Sequence, residues 1–70
     1  MKNFEQIVCN SQILGGKPCI KGTRISIEMI LEWIGQGASI YDILKNYPQM
    51  NELSVKQAIA YSSECIENDT

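Results

Sequence analysis

Apolar residues recur at intervals of three and four positions through most of the chain, which is the spacing of one face of a helix. The first such stretch predicts a helix from Ile27 to about Gln36. Ser26 is its expected N-cap, because a serine oxygen accepts a hydrogen bond from an otherwise free N–H of the first turn. Gly35 and Gly37 are expected to end this helix. Its apolar stripe consists of Ile27, Ile30, Leu31 and Ile34.

Met29 and Trp33 lie beside that stripe, four positions apart. Such a pair either widens the face that the helix buries in the core or forms an apolar patch for a partner. We favour the first interpretation, because apolar side chains at helical spacing usually belong to the core.

A second helix is predicted from Ser39 to about Asn46. Ser39 and Asp42 have the spacing of a capping box, in which two residues exchange hydrogen bonds at the N-terminus of a helix. Pro48 is expected to end this helix, since proline has no N–H to continue the hydrogen-bond ladder. Its apolar residues repeat at the same spacing and are Ile40, Ile43, Leu44 and Tyr47.

A third helix is predicted to begin at Ser54, with Gln57 as the second member of a capping box. Leu53 would then precede the cap and pack against Ala58. The second and third helices, joined through residues 47–53, predict a helix-turn-helix. The stripe of the third helix that is expected to face inward is Val55, Ala58, Ile59, Ser62 and Ile66.

The first 25 residues show the patterns of strands and turns. Strands are predicted at Phe4 to Cys9 and at Pro18 to Ile20, on either side of the turn signal Gly15-Gly16. Two strands this short are not stable alone, so they must pack on the helices or pair with a second chain. We expect a homodimer through the N-terminal strands, because pairing across a two-fold axis would also cover their exposed edges.

The predicted fold class is therefore mainly α, with short N-terminal β-strands followed by a three-helix bundle that contains a helix-turn-helix. A chain of 70 residues forms a single small domain, which we divide into a strand and turn arm at 1–25, the bundle at 26–67 and a polar tail at 68–70. A domain this small buries a limited core. We therefore expect it to gain support from oligomerisation or from a protein partner.

Charge and hydropathy narrow the possible functions. The net charge is −2, which disfavours strong binding of nucleic acid by the isolated chain, although the first third is basic and the rest is acidic. No apolar run approaches the length of a membrane helix, and the N-terminus lacks the apolar core of a signal peptide. We expect a soluble, cytoplasmic protein that does not bind a membrane.

Cysteine and histidine usage argues against common types of site. The three cysteines, Cys9, Cys19 and Cys65, are widely spaced and the chain has no histidine, so no structural zinc site is predicted. We expect reduced, mostly buried thiols. Without histidine the commonest general base is missing. We predict no catalytic residue, no metal and no cofactor, and a protein that is not an enzyme.

Two groups of polar residues are candidate binding sites. Lys17, Lys21 and Arg24 are either ordinary surface charge or contacts to DNA phosphates or to an acidic site of a protein partner. Arg24 lies just before a helix, where a cation is unfavourable, so a carboxylate such as Glu28, or a binding partner, is expected to compensate it. The second group, expected on the outer faces of the third helix near a major groove, is Lys56, Gln57, Tyr61 and Ser63.

The last pattern is a glycine-rich signature whose members are Gly15, Gly16, Pro18, Gly22, Thr23, Tyr47 and Pro48. With the intervening Lys-Pro-Cys-Ile-Lys and the following Arg-Ile, it resembles the signature of the bacterial family known as domain of unknown function 433, over nearly the whole chain. The resemblance implies a homeodomain-like helical part and a role similar to that of VapB antitoxins. Such proteins bind a PIN-like ribonuclease toxin and, as dimers, their own operator.

Two features depart from the pattern of that family. Ser26 stands where proline is expected, and it serves the same start of a helix. The tail after Ile66 is short, whereas many antitoxins neutralise their toxins with an extended C-terminal segment. We therefore expect toxin contact through the helices or the acidic face.

The expected function is that of an antitoxin of a type II toxin–antitoxin system, which neutralises a PIN-like ribonuclease and regulates its own operator. The alternative is a stand-alone helix-turn-helix transcriptional regulator, and a third possibility is an interaction module with no enzymatic neighbour. The acidic second half would suit a basic RNA-binding surface on a toxin. The third helix has one basic residue and carries Glu64 and Glu67, which repel phosphates.

Overall fold

The computed structural model describes the backbone of residues 4–68 and the side chains of residues 4–65. In chain order its elements are β1 (Ile7–Val8), a 3-10 turn (Leu14–Gly16), β2 (Cys19–Ile20), α1 (Ile27–Gly35), α2 (Ile40–Asn46) and α3 (Glu52–Asn68). The predicted fold class is confirmed, because three helices follow a short two-stranded antiparallel sheet.

β1 and β2 pair with each other in a register that places Ile7 opposite Ile20. The chain then folds back, so that Ser26 forms a bridge with Cys19 on the other side of β2. Both strands are shorter than predicted. The Ile7 N–H donates to the Phe4 carbonyl at 3.0 Å and closes a turn, which takes the residues before Ile7 out of the strand. The arm packs on α3 of the same chain, and this contact supplies the support that two short strands need.

The turn after β2 depends on Gly22 and Thr23. Gly22 has a φ of 80°, a left-handed backbone conformation that is unfavourable for residues with a Cβ. The Thr23 hydroxyl donates to the Ile20 carbonyl at 2.8 Å and accepts from the Ile25 N–H at 3.0 Å. These hydrogen bonds hold the turn in which the chain reverses direction. They and the left-handed backbone explain why the signature has glycine at 22 and threonine at 23.

The caps of α1 and α2 are those predicted. Ser26 Oγ accepts from the Met29 N–H at 3.1 Å at the start of α1. At the start of α2 the capping box is complete: Ser39 Oγ accepts from the Asp42 N–H at 3.1 Å, and the Asp42 carboxylate accepts from the Ser39 N–H at 2.9 Å. The bounds of both helices agree with the predicted ones to within one residue.

α3 begins at Glu52, two residues before the predicted start. Asn51 Oδ1 accepts from the Ser54 N–H at 2.9 Å and from the Ser54 hydroxyl at 3.0 Å. Asn51 is therefore the N-cap, and Ser54 lies buried in the first turn. Leu53 is a helical residue, so its predicted place before the cap was wrong. α3 continues through Asn68, where the polar tail was predicted to begin, and residues 69 and 70 lie outside the described part of the chain.

The core lies where β2 and the three helices meet. Its buried members are Ile20, Ile25, Ile27, Ile30, Ile43, Met50, Val55 and Ala58. Within residues 4–68, no helix is both long enough and apolar enough to cross a lipid bilayer.

The apolar stripes predicted for α1 and α3 each included a residue that is exposed in the structure. Leu31 is 38 % exposed and Ile59 is 39 % exposed, so their predicted burial was wrong. The buried side of α1 turns toward Trp33 and that of α3 toward Tyr61, both of which pack against the core. This rotation leaves the opposite edge of each stripe at the surface. Ile66, the last residue of the predicted stripe, lies outside the residues whose side chains are described.

Candidate partner-binding surfaces

The N-terminal arm is joined to α3 along a seam that holds two predicted site residues. Gln57 Oε1 accepts from the backbone N–H of Gln6 at 2.9 Å. The Ser54 hydroxyl lies 3.2 Å from Gln6 Oε1 and shares its one hydrogen between that oxygen and Asn51 Oδ1. Farther along α3, the rings of Phe4 and Tyr61 meet edge to face with their centroids 5.4 Å apart. Gln57 and Tyr61 were expected on outer faces of the helix, but the arm covers that side and both side chains contact it.

Lys56 is a predicted site residue of α3 that faces solvent. Its Nζ lies 3.7 Å from Glu52 Oε2, one turn earlier, and both side chains are more than half exposed. An exposed pair of this kind contributes little to stability. It does place a carboxylate beside the lysine, so a phosphate that approached Lys56 would also meet a negative charge.

The three basic residues of the arm differ in their surroundings. Lys17 Nζ lies 3.1 Å from Glu28 Oε1. Glu28 therefore pairs with Lys17 and not with Arg24, so the expected pair of Arg24 with Glu28 was wrong. Lys21 and Arg24 are exposed on either side of Gly22, and within the described residues neither side chain has an ion-pair partner. These two cations are available to a binding partner at the turn.

The hydroxyl of Tyr61 lies close to two thiols. Partial burial is the main reason that the pKa of Tyr61 is raised, and the nearby thiols of Cys65 and Cys9 add to the rise. Cys9 and Cys65 are exposed, whereas Cys19 is completely buried. The expectation of mostly buried thiols was therefore wrong for two of the three, because Cys9 follows the end of β1 and Cys65 lies on α3 beyond the core.

A groove of about 300 Å³ lies between α1 and the second half of α3. Its lining brings together the predicted site residues Lys17 and Tyr61, which are far apart in the sequence, and includes Pro18 of the signature. Ile27 and Leu31 supply apolar surface from α1. The groove is thus an apolar depression with a charged pair in its lining.

A second groove, of about 420 Å³, lies between the end of α1 and α2. The rings of Trp33 and Tyr47 stack there, with centroids 4.5 Å apart and planes inclined by 10°. Gln36, Asp42 and Asn46 contribute polar groups to its lining. The stack gives Tyr47 of the signature a structural reason, because it holds the end of α2 against α1.

Sequence reasoning missed most of the apolar side chains that remain at the surface. The aliphatic side chains that are between 36 % and 45 % exposed are Leu14, Met29, Leu31, Leu53 and Ile59. A signal for Leu31 was present, since Glu28 and Glu32 flank it at helical spacing and such spacing is typical of a solvated face. Apolar area edged by charge is suited to binding a macromolecule.

The described part of the chain holds no group of side chains that could bind a metal ion. Among residues 4–65, no three cysteine, aspartate or glutamate side chains lie together as metal ligands would. The candidate binding surfaces are the turn at Gly22 with Lys21 and Arg24, the seam between the arm and α3, and the two grooves.

Comparison with known proteins decides the family. The family described as "Protein of unknown function (DUF433)" matches residues 7–62, most of the chain. This chain belongs to the DUF433 family. A crystal structure of a DUF433 member protein from Anabaena variabilis matches with a TM-score of 0.83 and 27 % sequence identity, over 90 % of this chain and 62 % of that one. The chain thus spans less than two thirds of the length of that DUF433 protein. No curated protein matches the chain.

Proposed function

We propose that this DUF433 chain is the antitoxin of a type II toxin–antitoxin pair, similar in role to VapB, which binds a PIN-like ribonuclease in the cytoplasm and neutralises it. The signature suggested this role, and the surface of the chain supports a protein partner more than it supports DNA. The proposal depends on one observation about α3. The side chains of this helix that could read DNA, Lys56, Gln57 and Tyr61, already contact other residues of the same chain.

A recognition helix reads bases with donors and acceptors that are free to enter the major groove. On α3, Gln57 accepts a hydrogen bond from the arm and Tyr61 packs against it. Lys56 lies beside a carboxylate. The same helix exposes the apolar side chains of Leu53 and Ile59. Such a surface suits a protein better than it suits a phosphate backbone.

Charge supports the same type of partner. The exposed carboxylates of α1 are Glu28, which pairs with Lys17, and Glu32, which has no ion-pair partner within residues 4–65. A ribonuclease holds RNA through a basic surface, because the phosphates must be neutralised. An acidic helical surface is complementary to such a site and would cover it against RNA.

The test is co-expression with the product of the neighbouring gene, which the proposal expects to be a PIN-like ribonuclease. We expect a complex that is stable in size-exclusion chromatography, and growth that recovers in cells expressing the ribonuclease. An Ile30→Asp variant is the control, since this side chain is fully buried and a charge there unfolds the chain. Rescue must be lost in that variant. Absence of a complex with the unaltered chain, together with unchanged inhibition of growth, would overturn the proposal.

A second function, regulation of its own operator by a homodimer, is favoured by Lys21 and Arg24. Their exposed side chains flank the Gly22 turn without an ion pair in the described residues, and they can contact phosphates. We expect operator binding that weakens as salt rises, and that is lost when both residues are changed to alanine. Undetectable or salt-independent binding would remove this function and leave the antitoxin proposal standing. Operator binding without toxin binding would identify the stand-alone regulator instead.

A further inference from the structure

Gly35 ends α1, yet nothing within the described residues requires glycine at this position. Its backbone is not left-handed, and a Cβ built on it would meet no atom within 4 Å. The left-handed residue after the helix is Gly37, with a φ of 103°. A helix is less stable with glycine than with alanine, so Gly35 lowers stability without a compensating contact among residues 4–65. A bare backbone at this place allows another molecule to approach closely.

Gly35 belongs to an exposed stripe of α1. Glu28, Leu31, Glu32 and Gly35 follow the spacing of residues that lie along one face of a helix, and all four are exposed. We name this face the α1 stripe. At a rise of 1.5 Å per residue it is about 10 Å long, which matches roughly two turns of a partner helix.

The α1 stripe continues into the groove between α1 and α3. Glu28 and Leu31 belong to both surfaces, and Ile27 and Tyr61 line the groove behind them. An apolar side chain that contacts Leu31 therefore has further apolar surface beside it. The combined surface therefore holds the apolar side chains of Ile27 and Leu31 beside the carboxylates of Glu28 and Glu32.

Electrostatics limits what can cover the α1 stripe. Glu28 is paired with Lys17 at 3.1 Å, whereas Glu32 has no ion-pair partner within residues 4–65. A nucleic acid would bring phosphates against these carboxylates, and a second copy that used the same stripe would bring like charges together. A protein segment that carries lysine or arginine beside its apolar side chains has the complementary charge.

We infer that the α1 stripe binds an amphipathic helix of the protein partner, with an apolar residue against Leu31, a lysine or arginine toward Glu32, and the closest approach of the two backbones at Gly35. The inference rests on the proposed function, because the partner it assigns is the ribonuclease toxin. Small residues at a helix crossing permit the shorter interaxial distances, which gives Gly35 its role.

The experiment is calorimetric titration of the full chain with a catalytically inactive form of the ribonuclease. Gly35→Leu and Glu32→Lys are each expected to raise Kd about tenfold or more, through a steric clash and a reversed charge respectively. Gly35→Ala separates folding from binding, since it should raise the thermal midpoint of the free chain and still weaken the complex. Glu5→Lys is the matched control, because that exposed carboxylate lies in the turn before β1, outside the stripe, and the Kd of this variant should stay near that of the unaltered chain.

The outcomes distinguish the inference from the function on which it rests. If the unaltered chain binds the ribonuclease and the Gly35→Leu and Glu32→Lys variants bind it equally well, the stripe is not the contact and the antitoxin role stands. If the unaltered chain binds no ribonuclease, the proposed function fails and the assigned partner fails with it. If both variants change the native mass of the free chain without changing toxin affinity, the stripe joins copies of this chain, which also overturns the inference.

Discussion

Gln57 and Gln6 are joined by a hydrogen bond of 2.9 Å although 51 positions separate them in the chain. The backbone N–H of Gln6 donates, and the side-chain carbonyl of Gln57 accepts. The Ser54 hydroxyl binds the side chain of the same Gln6 at 3.2 Å. These hydrogen bonds attach the arm to α3, so that the two short strands pack against the helices.

Gln57→Ala is expected to lower the free energy of unfolding by about 1–2 kcal/mol, because the partly buried N–H of Gln6 loses its acceptor. Urea unfolding followed by circular dichroism measures the change. Lys56→Ala is the neighbouring control and should change the stability by less than about 0.5 kcal/mol, since its ion pair is exposed. Equal stability of Gln57→Ala and the unaltered chain would mean that other contacts hold the arm.

The capping box of α2 should make stability depend on pH. The backbone N–H of Ser39, and then its side chain, hold the pKa of Asp42 below its ordinary value of 3.8. Because the folded-state pKa is depressed, this carboxylate stabilises the fold above its ordinary pKa, and the contribution is lost as pH falls through the folded-state pKa. We expect the urea midpoint to fall on acidification below about pH 4, and to fall less steeply in Asp42→Asn. Parallel pH profiles for the two proteins would contradict this account.

The stack of Trp33 on Tyr47 should be a measurable part of the stability. Tyr47→Ala is expected to cost about 2 kcal/mol, from lost apolar burial and lost ring stacking, whereas Tyr47→Leu keeps much of the burial and should cost about half as much. Trp33 is the single tryptophan, so its fluorescence reports unfolding directly. Tyr41→Ala is the control, because that ring is 72 % exposed, and it should leave the midpoint nearly unchanged.

Two glycines with equally open surroundings should respond to alanine in opposite directions. A Cβ would meet no atom within 4 Å at Gly22 or at Gly35, but Gly22 has a φ of 80°. Gly22→Ala is therefore expected to destabilise the chain by about 1–2 kcal/mol, and Gly35→Ala to stabilise it by up to about 1 kcal/mol. Thermal unfolding of both variants tests the difference. A shift of the same sign in both would show that backbone conformation does not decide the outcome.

Local signals predicted the parts of the fold that depend on near neighbours. The caps Ser26 and Ser39 lie within a few residues of the groups they bind, so the sequence was sufficient for α1 and α2. The start of α3 was different, because Asn51 and Ser54 are both good N-cap residues. Burial of Ser54 and its bond to Gln6, 48 positions away, favour Asn51. A contact over that distance leaves no local pattern.

The candidate surfaces were harder to predict for a related reason. Helical spacing marked an apolar stripe on each helix, but the rotation of the helix in the bundle determines which edge of the stripe reaches solvent. Leu31 and Ile59 were therefore assigned to the core. Gln57 and Tyr61 were assigned to open faces, because the path of the arm across α3 could not be known from α3 itself. Gly22 was named only as a member of the signature, and its left-handed backbone, with a φ of 80°, is the physical reason that the structure adds.

The position of β2 has a consequence for aggregation. β1 pairs with one side of this strand and the chain at Ser26 bridges the other, so its neighbours on both sides come from the same molecule. Within the described residues the outer strand of the sheet is β1, which is two residues long. Fibrillar growth and strand exchange begin from long unpaired edges. The exposed edge of this sheet is too short to template either process, so we expect the protein to form no fibrils at high concentration.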